Sequence, residues 1–500
     1  MLTPQIQRVV IVGRDVQLWI SALAVERALG ADAVQVTALE LPTTLVDTDV
    51  VAAVPALSEL HRQLGLDDHK LLRECDGLPM VAQRFANWAR SKETFLHGYD
   101  VSSPGERDLG ILQYWLKARD RGMLVAFEEF SVAAAAAKQG RVPRAGTTFE
   151  PDMAVPSHGF QLDAVRYAEA LKQTAMRRAI DCRTGRATGV NLNEGRIASV
   201  DWDSGDSFEA DLFIDASGSE AALIRSMPES EFESWRKWFA SDRVLSASAP
   251  TLRPAPAFAN IVAFRGGWLG IHPLRNRTAV VGAFASDVAN DEMLRNLPVL
   301  AGVAVTGDVT LTPFEAGIRR RPWIGNCVAV GAAAADLEPL DAALMHFLHL
   351  GIAHLLGSLT GGFDPFADSE RYNRTITRQA EAIRDFQLAH YRLNGRFDES
   401  FWDRARDASD PPSLDGKLAA FKSHGSIPVA DDEPFQQANW AAVLIGHGLI
   451  PESYAPWVDE LSEADHIQTM QQRLRSVAQA VSVMPTVDEF VADLEPVARA

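Results

Sequence analysis

Two hydrophobic periods divide this chain. Val9–Val12 is a short β-branched run closed by Gly13, and from Ile20 to Leu29 the apolar positions recur at helical spacing, so strand, turn and helix are predicted in that order. Ala33–Leu39, ending at Glu40, predicts a second strand. Residues 57–90 and 106–122 read as helical, the latter with Tyr114, Trp115 and Leu116 on an amphipathic pattern. Residues 158–181 read as a further helix, with Ser157 as its N-cap and His158 and Asp163 in its first turns. Short strands follow over 187–215, broken by turns at Asn193-Glu194-Gly195 and Ser204-Gly205-Asp206. Strands are predicted again over 259–285 and 303–330, and the last third is mostly helical, with a loop near 407–415. The alanine run 133–137 reads as helix filler, and no internal repeat is present.

The first strand and turn have the frame of a dinucleotide-binding βα unit without its glycines. In a GxGxxG turn the first glycine makes the bend, the second admits the pyrophosphate to backbone N–H groups, and the third lets helix and strand pack closely. Gly13, Asp15 and Leu18 hold those places here. A carboxylate at the second place opposes the preference of a helix N-terminus for anions. Glu40, at the end of the second strand, stands where an acidic residue commonly binds a ribose hydroxyl.

Composition narrows the classes. Five hundred residues, 47% hydrophobic, suffice for a large core in two or three structural units. A formal charge of -18 argues against nucleic acid or an anionic membrane as partner. Cys75, Cys182 and Cys327 lie far apart, give neither a disulfide framework nor a metal spacing, and fit a reducing compartment, the cytoplasm. No signal peptide is expected, and no uncharged apolar stretch of transmembrane length. His346, His349 and His354 are spaced by three and five, not as the i, i+4 pair of a zinc helix, and read as packing or surface histidines.

Several segments carry a family resemblance. Gly267-Trp268-Leu269-Gly270-Ile271-His272-Pro273 resembles the GWxWxIP marker of the flavin-dependent tryptophan halogenases, with the second Trp replaced by Gly270 and an apolar residue by His272. Glu209–Gly218 is similar to that family's second flavin-contacting strand, and Asn326–Gly331 with Leu337-Glu338-Pro339-Leu340 to the strand and turn that pass its flavin. Phe85-Ala86-Asn87-Trp88, Tyr114-Trp115-Leu116, His390-Tyr391, Phe401-Trp402 and Gly446–Pro451 extend the match in order over nearly the whole chain.

The resemblance implies an α/β fold: a Rossmann-like FAD-binding module of the glutathione-reductase and flavin-monooxygenase type, an additional β-sheet, and a mostly helical substrate and C-terminal part. It implies one module over 1–385, with an inserted helical substrate segment at about 57–150, and a helical module over 386–500. The family takes reduced FAD from a separate flavin reductase, forms a flavin hydroperoxide with oxygen, and passes hypohalous acid along a tunnel to an indole. FAD contacts would fall on Gly13, Glu40, Asp215, Gly218, Gly331 and Pro339. Substrate contacts would fall on His97, Tyr99, Trp268 and Trp440.

This sequence departs from the family at its working groups. The tunnel lysine falls on Met80, whose thioether can neither hold a chloramine nor hydrogen-bond hypohalous acid as an ammonium can; Arg84, on a predicted helix, would project a turn away. The family glutamate falls on Asp341, and the Ser-Thr-Gly beside the halide on Ala342-Ala343-Leu344. A GxGEATxP loop that approaches the flavin ring aligns with Thr48–Pro55, where Val50 and Val51 would crowd it. With Asp15 and Leu18, these losses are confined to ligand loops while strand cores are kept. The expectation is a degenerate family member that binds an aromatic small molecule or a protein. The alternative is an active, divergent FADH2- and oxygen-dependent halogenase or monooxygenase of an indole-like substrate.

Overall fold

The computed structural model describes residues 6–30, 33–89, 94–101, 110–144, 155–287, 291–360 and 365–494. Strand β1 (Arg8–Gly13) leads through a tight turn into helix α1 (Asp15–Leu29), which begins five residues before the predicted periodicity, and then into β2 (Gln35–Glu40). After helix α2 (Ala56–Leu64) come strands β3 (Ala82–Ala86) and β4 (Phe95–Gly98), then helix α3 (Ala164–Ala175) and strands β5 (Ile180–Thr184) and β6 (Leu212–Ala216). A run of long strands follows, β7 (Arg243–Ala249), β8 (Phe258–Phe264), β9 (Gly267–Pro273), β10 (Thr278–Phe284) and β11 (Thr306–Pro313), before the short pair β12 (Trp323–Ile324) and β13 (Cys327–Ala329). Helices α4 (Ala343–Thr360), α5 (Pro365–Arg392) and α6 (Gln437–Gly446) belong to the helical last third.

Three helical readings are corrected. Residues 57–90 are helical only at Ala56–Leu64 and Asp68–Glu74, after which Leu78–Met80 and β3 are strands, so Arg84 lies on a strand. The predicted helix over 158–181 starts at Ala164 after strand Gly159–Asp163, and its N-cap is Asp163, whose carboxylate accepts from Arg166 N–H at 3.1 Å. His97 and Tyr99 belong to extended chain at β4. Of the predicted helix over 106–122, residues 106–109 lie outside those described, and Gly110–Asp120 is helical. The turns at 193–195 and 204–206 are present, with Glu194, Gly195 and Gly205 at positive φ.

The chain forms two compact units, one of residues 1–76, 162–236 and 315–381, the other of 77–161, 237–314 and 382–500. The first contains a six-stranded sheet in the order β5-β2-β1-β6-β13-β12, parallel except for the β12–β13 pair. β1 lies between β2 and β6, so the crevice at their C-terminal ends is the switch point where open α/β sheets bind ligands. Helix α4 corrects another expectation: it is 18 residues long without an Asp, Glu, Lys or Arg, and apolar enough to cross a membrane. It packs on α1 and α2 within the first unit.

The second unit is built on a seven-stranded sheet in the order β11-β7-β10-β9-β8-β3-β4. One face carries Leu245, Ala247, Leu269, Ile271, Val280 and Phe284 against Leu297 and Ala301 of the helix Asp291–Ala301. Because strand side chains alternate, Trp268, Gly270 and His272 lie on the opposite face.

Candidate functional site

The turn after β1 lies at the switch point of the six-stranded sheet. Gly13 pairs with Ala216 of β6 and Glu40 of β2, and a Cβ on it would lie 2.6 Å from Ala216 O, so the position requires glycine. Asp15, at the second place of the turn, adopts a left-handed conformation, φ +54, which an aspartate tolerates better than most residues. Its carboxylate accepts from Thr44 N–H at 3.3 Å, and the Arg14 guanidinium pairs with Glu220 at 2.5 Å. Leu18, at the third glycine place, is fully buried.

Gln17 was not anticipated from the sequence. Its Oε1 accepts from Ala332 N–H at 3.2 Å and stands 2.4 Å from where a Cβ would sit on Gly331, while its Nε2 stands 4.0 Å from the corresponding point on Gly218. The side chain therefore fills the space beside the left-handed Gly331 (φ +55) and only reaches ordinary contact distance of that beside Gly218 (φ +78). The only sequence signal was a long polar residue next to the missing third glycine.

The acidic residues are engaged locally. Both Glu40 carboxylate oxygens accept from Lys172 Nζ, at 2.9 and 2.8 Å, and one also from the Thr184 hydroxyl at 2.8 Å. The buried Asp215 carboxylate accepts from Ser217 N–H at 3.0 Å, Ser217 Oγ at 2.5 Å, and Leu223 and Ile224 N–H both at 2.8 Å. It thereby organises the loop after β6. Pro339 is half-buried and follows the fully buried Glu338. Asp341 is buried and, with Ala342, holds a left-handed backbone, φ +60 and +56, at the entry to α4. Val50 and Val51 form part of a short strand, both half-buried. His346, His349 and His354 all lie on α4; His354 contacts Gln379 at 3.0 Å, and burial lowers the pKa of His349. Arg320 pairs with Glu233 and Glu381, and Arg321 with Glu229.

In the second unit, Gly270 and His272 explain each other. Both point to one face of β9, and a Cβ on Gly270 would lie 2.6 Å from His272 Nε2. The imidazole occupies the space that the marker's second Trp would claim. Burial pushes the His272 pKa down to about 4, so the ring is neutral at pH 7. Trp268, on the same face, donates its indole N–H to the Tyr391 hydroxyl at 3.0 Å.

The aromatic residues form a connected, buried set. Tyr99 OH accepts from Gln83 Nε2 at 2.7 Å, His97 meets Tyr99 edge-on at 5.8 Å, and Asn439 Nδ2 donates to His97 Nε2 at 3.1 Å. Phe386 lies 5.7 Å from His97, stacks on Phe435 at 3.9 Å and meets Trp440 edge-on at 5.1 Å. Met80 is fully buried at the end of the strand Leu78–Met80. The structure thus brings His97, Tyr99 and Trp440 together, with Gln83, Asn439 and Phe386 added.

The family profile described as tryptophan halogenase matches residues 8–463. This chain belongs to the tryptophan halogenase family. Tryptophan 7-halogenase RebH of Lentzea aerocolonigenes is 24% identical, with 98% of this chain and 99% of the relative covered, and tryptophan 7-halogenase KtzQ of Kutzneria sp. is 25% identical, with 97% and 98% covered. Among solved structures, BrvH, a flavin-dependent halogenase from Brevundimonas sp. BAL3, superposes with a TM-score of 0.91 at 27% identity, covering 99% and 100% of the two chains. Xcc4156, a flavin-dependent halogenase from Xanthomonas campestris, gives 0.90 at 26%, covering 99% of each. The α/β architecture with its Rossmann-like module is accordingly that of the tryptophan halogenase family.

Proposed function

We propose that this tryptophan halogenase family member does not halogenate and acts as a binding or accessory protein for an aromatic small molecule or a protein partner. The observation that carries the reading is Gln17, whose amide fills the space beside Gly331. FAD is the family cofactor, and the residues present do not fit it: the second glycine place carries a carboxylate, Leu18 fills the third, and Glu40 is held by Lys172. The tunnel lysine is replaced by the fully buried thioether of Met80. The retained aromatic set around His97, Tyr99 and Trp440 supports a ligand-binding role, and the acidic charge disfavours nucleic acid and membrane surfaces. Three free thiols suit the cytoplasm.

Titration of the purified protein with oxidised and with reduced FAD tests this reading. No binding is expected even at millimolar flavin; binding at low micromolar concentration overturns it. A second reading is an active halogenase or monooxygenase of an indole-like substrate, served by a flavin reductase. It is favoured by Asp341 and Ala342, whose consecutive left-handed conformations persist where strain often marks a working site.

A further inference from the structure

The sheet of the second unit places polar side chains in a row. Cross-strand partners share a face, so His97 on β4, its partner Gln83 on β3, and Ala259, the partner of Gln83 on β8, point the same way. Asn260 is opposite Ile271, so one residue further along Ala259 stands beside His272 of β9 on that face. Gln83 and His272 thus flank a single methyl group.

Both carry a buried polar atom with no hydrogen-bond partner among the described residues, Gln83 Oε1 and His272 Nδ1. Gln83 Nε2 is committed to Tyr99 OH, which sets the amide orientation and leaves Oε1 as an acceptor. Native folds rarely leave such atoms uncompensated. The two strands are separated by two inter-strand spacings, roughly 9–10 Å, a span that two long side chains can bridge through one shared oxygen atom.

We propose that Gln83 and His272 form a subsite for the hydroxyl group of an uncharged phenol-type ligand, seated above Ala259. A hydroxyl donates and accepts at once, so one oxygen can donate to Gln83 Oε1 and accept from His272 Nδ1–H. An indole N–H only donates and satisfies one of the two. The neutral state that burial imposes on His272 matches an uncharged ligand. On the next row, Phe85 and Phe95 stack at 5.0 Å and His390 stacks on Phe85 at 4.4 Å, so the row beside the subsite is aromatic. The inference rests on the reading of this aromatic set as a ligand site and names its ligand class.

Calorimetric titration with p-cresol, indole and toluene tests it. Cresol is expected to bind at least about tenfold more tightly than toluene, with indole between, and the cresol preference is expected to disappear in Gln83→Met and in His272→Leu. Equal affinity for cresol and toluene, or a preference that survives both substitutions, overturns the subsite while leaving the aromatic site standing. Failure of all three probes at millimolar concentration removes the aromatic site and the subsite together. In the unmodified protein, cresol should shift the His272 Nδ1 resonance in 15N NMR; an unmoved resonance with bound cresol overturns the subsite without recourse to a variant.

Discussion

Gly270 and His272 share one volume: the imidazole Nε2 lies 2.6 Å from the point where a Cβ on residue 270 would be. Two departures from the family marker are therefore one physical change, a large side chain removed at one position and a ring moved in from two residues along the strand. Gly270→Ala should destabilise the protein by about 1–3 kcal/mol through overpacking. Combining it with His272→Ala should recover a large part of that loss, giving a coupling of about 1 kcal/mol or more. Urea unfolding of the single and double variants measures it, and additive effects would show that the two residues do not compete.

His272 also ties stability to pH. Its folded pKa of about 4 lies below the 6.5 of an ordinary histidine, so between those values the unfolded chain binds a proton that the folded chain does not. The stability due to the neutral ring is fully present above about 6.5 and is lost as pH falls toward about 4, by at most about 3 kcal/mol. Urea midpoints across this range should fall less steeply for His272→Leu than for the natural protein. Parallel profiles would refute the assignment to this side chain.

Gln17 is the most economical place to reopen the nucleotide turn. Restoring glycine at Leu18 removes a fully buried side chain, at a cost of about 2–5 kcal/mol or more, a large fraction of a typical domain's stability. Gln17 is only half-buried, and Gln17→Ala deletes one contact to Ala332 N–H while leaving Gly218 and Gly331 in place. FAD affinity, followed by quenching of flavin fluorescence, should rise at least about tenfold in Gln17→Ala, with the midpoint of unfolding changed by no more than a few degrees. Unchanged affinity in a folded variant would shift the block to Val50 and Val51 or to the Lys172–Glu40 pair.

The framework of β1, α1 and β2 was legible because a β-branched run followed by helical spacing is a local signal, as were the hairpin turns at 193–195 and 204–206. The strands at 82–86 and 95–98 were not. Their residues carry a mixed pattern; 82–86 is made a strand by pairing with Phe258–Val262, some 170 positions away, which no local window contains, and 95–98 then pairs with 82–86. The same limit applied at the candidate site. The losses at Asp15, Leu18 and Met80 could be read as substitutions, whereas Gln17 and Lys172 act by reaching across to Ala332 and Glu40, partners defined only by the folded sheet.

Asp215 gives the sharpest test of whether a family position here serves the ligand or the fold. It lies on β6 at the switch point, yet its carboxylate is fully buried and accepts four hydrogen bonds from Ser217, Leu223 and Ile224. An amide has one acceptor oxygen, so in Asp215→Asn the NH2 group would face backbone N–H donors at one end of that set. Losing charge-assisted acceptors for buried donors should cost about 2–4 kcal/mol, and the loop over 217–226 should lose protection before the sheet does. Hydrogen exchange on the variant reads both effects. A protein of unchanged stability whose 217–226 amides stay protected would mean that this carboxylate is held for a ligand and not for its own loop.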